Sequence, residues 1–93
     1  MRSKLQYHII KDEENRVVSK GFEFIVSNCK SEEEHEKAVV SFSKLLDDNN
    51  IENGIYGEGQ FGDVNYMYLD IPVESDYQKA QIKKLYQEWK VRK

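Results

Sequence analysis

The sequence is poor in the residues that mark special classes of protein. Its 93 residues include one cysteine, one proline and five glycines. One cysteine excludes a disulfide framework within the chain, and so little proline and glycine excludes collagen-like and low-complexity chains. No apolar run approaches the roughly 18 residues of a membrane-spanning helix, and residues 1–10 lack the apolar stretch of a signal peptide. We therefore expect one small globular domain over residues 1–93, in the cytoplasm and without a membrane partner.

Lysine and arginine are missing from the middle of the chain. None occurs between Lys44 and Lys79, and residues 31–76 carry twelve acidic but only two basic side chains. Residues 77–93 carry six basic side chains and one acidic one, although the whole chain has a net charge of only −3. A region dominated by one sign of charge favours partners of the opposite sign. The sequence thus predicts an acidic surface in its middle and a basic one at its end.

Hydrophobic residues alternate with other residues in two stretches of the first half. They are Leu5, Tyr7 and Ile9 before the turn-forming residues 12–15, and Phe22, Phe24 and Val26 after them. This alternation predicts a β-hairpin, and Asn15 suits its turn because a short amide side chain tolerates positive φ. Ser31 and Glu34 form a capping box, and apolar residues follow at helical spacing up to Leu46. A helix should therefore begin at Ser31.

The second half has the same order of elements. Ile55 and Tyr56 lead into the glycine-rich residues 57–62, and residues 64–73 read as a long strand ended by Pro72. Ser75 and Gln78 form a second capping box, and an apolar stripe follows at Ile82, Leu85, Tyr86 and Trp89. The order ββα-ββα predicts an α+β fold with one antiparallel four-stranded sheet and two helices packed on one face. Phe42 and Trp89 should lie in its core.

The glycine-rich segment has a spacing with a known functional counterpart. Gly57-x-Gly59-x-x-Gly62-x-Val64 resembles the glycine-rich loop of protein kinases, and that resemblance implies a backbone lying over nucleotide phosphates. A kinase also needs a lysine on the next strand and the catalytic segments H-R-D and D-F-G, and the chain has none of them. Glu58 and Asp63 would moreover repel a phosphate. The motif is therefore interpreted as a tight or bulged turn between two strands.

Residues suited to catalysis or metal binding are few. A cysteine nucleophile needs a base held by a third group, and the only candidates here are Cys29 with His8 or His35. His35 can approach Cys29 across the connection from strand to helix, but no residue is clearly placed to orient its imidazole. One cysteine and two histidines at this spacing fit no zinc pattern. We expect no enzyme, no cofactor and no metal site.

The last strand offers a candidate binding surface. If Met67, Leu69 and Ile71 face the helices, then Tyr66, Tyr68 and Asp70 point outward with Val64. Tyrosine supplies a large rigid contact area with a polar tip, so tyrosines beside carboxylates are typical of recognition surfaces. Ile10, Val17 and Ile25 should share this face. The predicted protein-binding site consists of Glu58, Asp63, Tyr66, Tyr68 and Asp70.

These observations favour a non-catalytic protein-interaction module, which docks a basic protein surface or a second copy of itself. Small acidic domains without catalytic residues are typical of inhibitors and adaptors encoded by phages and mobile elements. The alternative is nucleic-acid binding through the basic final helix, whose candidate residues are Lys79, Lys83, Lys84 and Lys90.

Overall fold

Four strands and two helices follow one another in the predicted order. They are β1 (Arg2–Lys11), β2 (Val17–Ser27), α1 (Glu32–Asp48), β3 (Tyr56–Phe61), β4 (Val64–Pro72) and α2 (Asp76–Val91). The computed structural model describes residues 1–54 and 56–92; Ile55, which leads into the glycine-rich segment, lies outside them. The strands form one antiparallel sheet in the order β1-β2-β4-β3. The predicted α+β fold is confirmed.

Both helices begin at the predicted serine caps. The Ser31 hydroxyl accepts a hydrogen bond from the Glu34 backbone N–H at 3.3 Å, and the Ser75 hydroxyl accepts one from the Gln78 N–H at 3.1 Å. In a usual capping box the third helical side chain reaches back to the cap residue itself. Here Glu34 and Gln78 each accept from the residue before the cap, at 3.0 and 2.7 Å. Each cap therefore also fixes the segment that enters the helix.

Helix α1 ends at an asparagine. Asn50 has a φ of 59°, the Ile51 N–H donates to the Leu46 carbonyl at 2.9 Å, and the Asn50 N–H donates to the Asp47 carbonyl at 3.0 Å. These two bonds form a Schellman motif, in which the residue after the cap takes a left-handed conformation. Ile51 is buried, so the motif also returns the chain to the core.

The core lies between the sheet and the helices, and Phe24 is at its centre. The Phe24 ring centroid lies 4.5 Å from that of Phe42 on α1, and 5.1 Å and 5.9 Å from those of Trp89 and Tyr86 on α2. One strand residue thus contacts both helices, which places both on the same face of the sheet. Phe42 and Trp89 are buried as predicted. The Trp89 indole N–H donates to the Ser41 hydroxyl at 2.8 Å, which links the helices.

The hairpin of β1 and β2 extends beyond the rest of the sheet. The pairing of β2 with β4 ends at Gly21 and Pro72, whereas β1 and β2 remain paired as far as Lys11 and Val17. Asn15 closes the hairpin with a φ of 65°, as predicted. Ile9, which alternates with Leu5 and Tyr7, is 50% exposed because it lies in this extension.

Candidate functional site

The face of the sheet turned away from the helices, here called the outer face, carries the predicted tyrosines. Met67, Leu69 and Ile71 are buried on the helix side, so Tyr66, Tyr68 and Asp70 point to the outer face as expected. Residues paired across strands share a face, and the register therefore defines three rows on the outer face. They are Arg2, Ser27 and Tyr66; Lys4, Ile25 and Tyr68; and Gln6, Glu23 and Asp70.

The two tyrosines lie over the two glycines of β3. Gly57 pairs with Tyr68 and Gly59 pairs with Tyr66. A Cβ atom at Gly57 would lie 2.7 Å from the Tyr68 hydroxyl oxygen. A Cβ at Gly59 would meet the end of the Tyr66 ring still more closely. The glycines leave room for the rings, whose centroids are 6.2 Å apart. The resulting outer surface is broad and aromatic.

This packing supplies a structural reason for the glycine-rich segment. Gly57 and Gly59 lie beneath the rings, and Gly62 occupies the first position of the turn between β3 and β4 with a φ of 62°. Hairpin turns of two residues require positive φ at that position, which glycine adopts without strain. The prediction that the glycine-rich segment forms a turn between strands is confirmed for Gly62. Gly57 and Gly59 instead lie within β3 and leave room for the tyrosine side chains.

The predicted protein-binding residues do not all share the outer face. Glu58 pairs with the buried Met67, so it lies on the helix side, where it borders a small cavity together with Glu32 and His35. Asp63 is exposed in the turn at the end of the hairpin. Tyr66, Tyr68 and Asp70 remain together on the outer face. The acidic character of that face therefore depends on residues other than Glu58.

A pair of carboxylates lies next to a hollow on the outer face. Glu23 and Asp70 are directly opposed on β2 and β4, a position in which side chains lie about 5 Å apart and like charges are destabilising. Gly21, which has no side chain, leaves a hollow of about 320 Å³ beside them, bordered also by His8 and Pro72. A cation placed in this hollow would relieve the repulsion between the carboxylates.

The outer face also carries positive charge, which the sequence did not indicate. Arg2 and Lys4 of β1 lie in the same rows as Tyr66 and Tyr68, two strands or about 10 Å away at the usual strand spacing. No lysine or arginine lies near the tyrosines in the sequence, but the register places Arg2 and Lys4 on the same face of the sheet. The outer face instead has an acidic region at Glu23 and Asp70 and a basic region at Arg2 and Lys4.

The lysines of α2 fall on two sides of the helix. The Lys79 ammonium lies 3.8 Å from the centroid of the Tyr7 ring, and the Lys90 ammonium lies 5.3 Å from that of Tyr86. Lys83 borders a groove with Leu5, so these three lysines line the flank next to β1. Lys84 borders a different hollow with Tyr77 and Asn49. The four lysines therefore do not form one continuous patch.

Cys29 and His35, which were considered for catalysis, lie close together and form a contact that supports the fold. The Cys29 backbone N–H donates to His35 Nε2 at 3.2 Å, and His35 is buried. The imidazole thus uses this nitrogen to hold the connection between β2 and α1. Among residues 1–54 and 56–92, no three His, Cys, Asp or Glu side chains are grouped so that they could hold a metal ion. Neither described helix is long and apolar enough to cross a membrane.

No protein-family model, curated protein or solved structure matches the chain. The candidate site is therefore defined by its own geometry. Its central residues are Ile25, Tyr66 and Tyr68, and its charged residues are Glu23, Asp70, Arg2 and Lys4.

Proposed function

We propose that the protein is a non-catalytic interaction module that pairs with a second copy of itself through the outer face. The proposal rests on one observation. The apolar and aromatic residues at the centre of the outer face have acidic side chains on one side and basic side chains on the other. Glu23 and Asp70 are like charges opposed across two strands, and Arg2 and Lys4 lie on the same face. In a twofold pair, the basic side chains of each copy can therefore face the carboxylates of the other copy.

The positions of the rows support a particular twofold arrangement. Strands are about 4.8 Å apart, and successive residues on one face are about 7 Å apart along a strand. An axis lying diagonally in the interface, through Ile25 and between the two tyrosines, would place Arg2 and Lys4 of one copy over Glu23 and Asp70 of the other. The tyrosines would then contact their counterparts at the centre. The strands of the two sheets would cross steeply, which resembles the orthogonal class of sheet packing.

The outer face is small for a stable protein interface. Four strands and the three rows of side chains span a planar area of about 400 Å² at standard sheet spacing. Stable protein interfaces bury about 800 Å² on each partner. We therefore expect a reversible dimer with a dissociation constant on the order of 10 µM. Such a dimer would leave the helices and the sheet edges accessible, which is what an adaptor requires.

Replacing Tyr68 by alanine should weaken the dimer by at least about tenfold, because a central aromatic residue supplies much of the energy of an interface. The measurement is sedimentation equilibrium over a range of protein concentrations. Tyr77→Ala is the matched control, since Tyr77 is 80% exposed on the surface of α2, and it should leave the dissociation constant unchanged. Circular dichroism should show both variants folded. A wild-type chain that stays monomeric at about 1 mM would overturn the proposal.

The absence of a catalytic role is part of the proposal. His35 Nε2 already accepts the Cys29 backbone N–H, so this nitrogen is engaged and does not serve as a base toward the Cys29 thiol. This arrangement favours a structural role for both residues. A cytoplasmic location stays a prediction from the single cysteine.

Nucleic-acid binding through Lys79, Lys83, Lys84 and Lys90 is the alternative function. The placement of Lys84 away from the other three reduces the positive surface that one phosphate backbone can contact. We expect no retention of the protein on immobilised duplex DNA at about 50 mM salt, where electrostatic binding is strong. If the protein is retained on the DNA, and the double substitution Lys79→Gln with Lys83→Gln removes that retention, the alternative is favoured.

A further inference from the structure

The exposed edge of the sheet at β1 has the features of a strand acceptor. β1 stands first in the strand order, and it is ten residues long. Alternate residues of an edge strand direct their N–H and C=O groups away from the neighbouring strand. Proteins usually protect such an edge with lysine and other charged side chains, proline, a bulge or a short strand. Of these, β1 has the charges, at Arg2, Lys4 and Lys11. β1 contains no proline, and its one irregularity lies at the far end, between Ile10 and Lys11.

A groove runs beside this edge on the helix side. Leu5 and Phe22 of the sheet and Tyr86 of α2 supply apolar surface, and Lys83 and Gln87 border it; the groove has a volume of about 210 Å³. The Ser3 and Tyr86 hydroxyls share a hydrogen bond of 2.9 Å, which fixes β1 to α2. A strand added next to β1 would direct every second side chain toward this groove and the others toward the outer face.

The charged residues of β1 itself all have one sign. β1 carries no acidic residue from Arg2 to Lys11. Arg2 and Lys4 lie on the outer-face side of the strand, and Lys79 and Lys83 lie on the helix side, where the Lys79 ammonium rests over the Tyr7 ring. An added strand would therefore meet cations on both of its faces. Its own charge should be negative.

We propose that β1 binds an extended acidic segment of a partner protein as a fifth strand. The segment would alternate apolar and acidic side chains, with the apolar ones over Leu5 and the groove and the acidic ones facing Arg2 and Lys4. Backbone hydrogen bonds give affinity in this mode of recognition, and the alternate side chains give specificity. The backbone edge and the groove take no part in the pairing through the outer face, whereas Arg2 and Lys4 serve in both, so the acidic segment and a second copy would compete for these two side chains.

Two competing occupants fit the edge less well. A second copy that presented its own β1 would bring only further cations to this edge, because the strand carries Arg2, Lys4 and Lys11 and no acidic residue. A nucleic acid would use the lysines, but its phosphate backbone offers no alternating ladder of N–H and C=O groups and no side chains for the apolar groove. An acidic peptide uses the backbone edge, the groove and the charges together.

The test is an NMR titration of the full chain with a synthetic peptide of about eight residues that alternates glutamate and valine, a length that matches the edge strand. We expect the amide signals of β1 to shift and their hydrogen exchange to slow. Lys83→Glu should weaken binding by about tenfold, since it reverses a charge at the groove. Lys84→Glu is the matched control on the other side of α2 and should have little effect. Neither lysine lies on the outer face.

Further probes separate the proposed occupant from the others. A peptide that alternates lysine and valine should not bind, and neither should the acidic peptide with prolines at alternate positions, because proline removes the N–H groups of the ladder. Equal binding of the proline peptide, or shifts confined to the outer face, would overturn the proposal. So would tighter binding of duplex DNA at the same β1 signals, or slower hydrogen exchange of the β1 edge amides at high protein concentration without peptide, because a dimer through the outer face leaves those amides unpaired. An unchanged spectrum at millimolar peptide would do the same.

Discussion

Replacing Phe42 by alanine is expected to lower the free energy of unfolding by about 3–5 kcal/mol, the usual cost of removing a buried aromatic ring. Phe42 has no exposed surface, and its ring contacts Phe24, Tyr86 and Trp89. Removing it would leave a cavity at the point where the sheet and both helices meet. A domain of this size has a total stability of only about 5–15 kcal/mol, so the variant should be marginally folded at room temperature.

Urea unfolding followed by circular dichroism measures this loss as a lower midpoint at an unchanged slope. Val40→Ala is the matched control, since Val40 lies on the same helix and is 43% exposed. Its effect should stay within about 0.5 kcal/mol, as for most surface substitutions. Equal midpoints for Phe42→Ala and Val40→Ala would show that the core is packed differently.

Replacing Gly21 by alanine is expected to destabilise the fold by about 1–3 kcal/mol, the cost of forcing extra volume into a packed region. A Cβ at Gly21 would lie 2.5 Å from the Ile71 carbonyl oxygen, which is main chain and cannot rotate away. The two central strands, β2 and β4, would have to separate where their pairing ends. The same substitution would also fill the hollow beside Glu23 and Asp70.

Gly54→Ala is the control for this prediction. The nearest atom to a Cβ at Gly54 is the Asp70 carbonyl oxygen at 3.9 Å, an ordinary contact. Thermal unfolding should therefore give a melting temperature close to that of the wild type for Gly54→Ala and a lower one for Gly21→Ala. A Gly21→Ala variant as stable as Gly54→Ala would mean that β2 and β4 are farther apart than the structure places them.

Local signals in the sequence predict the elements of the fold well. Ser31 and Ser75 cap the helices, and Asn15 closes the first hairpin. Each of these depends on bonds between residues a few positions apart, which a single sequence displays directly. The end of α1 is less evident from the sequence, because both Asn50 and Gly54 follow its last apolar residue and it is Asn50 that takes the left-handed conformation. Both residue types suit that position, so spacing alone does not choose between them.

The composition of the outer face depends on strand order, which local signals do not contain. The hydrophobic alternation of β4 was enough to predict that Tyr66 and Tyr68 point away from the helices. The pairing of β2 with β4 is what brings Glu23 next to Asp70. Because β1 pairs with β2, it also brings Lys4 into the row of Tyr68. Residues more than 40 positions apart thus meet on one surface, and their charges change its character.

The face on which Glu58 lies also does not follow from local signals, although its partner strand is close in the sequence. Glu58 and Tyr68 belong to one hairpin, but the register pairs Glu58 with Met67 and therefore sends the two side chains to opposite faces. A shift of one residue in the turn would have reversed this. The spacing Gly57-x-Gly59 carried a usable signal, since glycines two apart on a strand leave room for aromatic residues across from them.

A charge-swap experiment tests the proposed pairing most directly. One variant carries Arg2→Glu with Lys4→Glu, and the other carries Glu23→Lys with Asp70→Lys. Each variant alone would place like charges over one another in the proposed dimer, so each should self-associate at least about tenfold more weakly than the wild type. An equimolar mixture should form heterodimers nearly as strong as the wild-type dimer in sedimentation equilibrium. Two variants that each dimerise like the wild type, or a mixture that stays monomeric, would contradict the account.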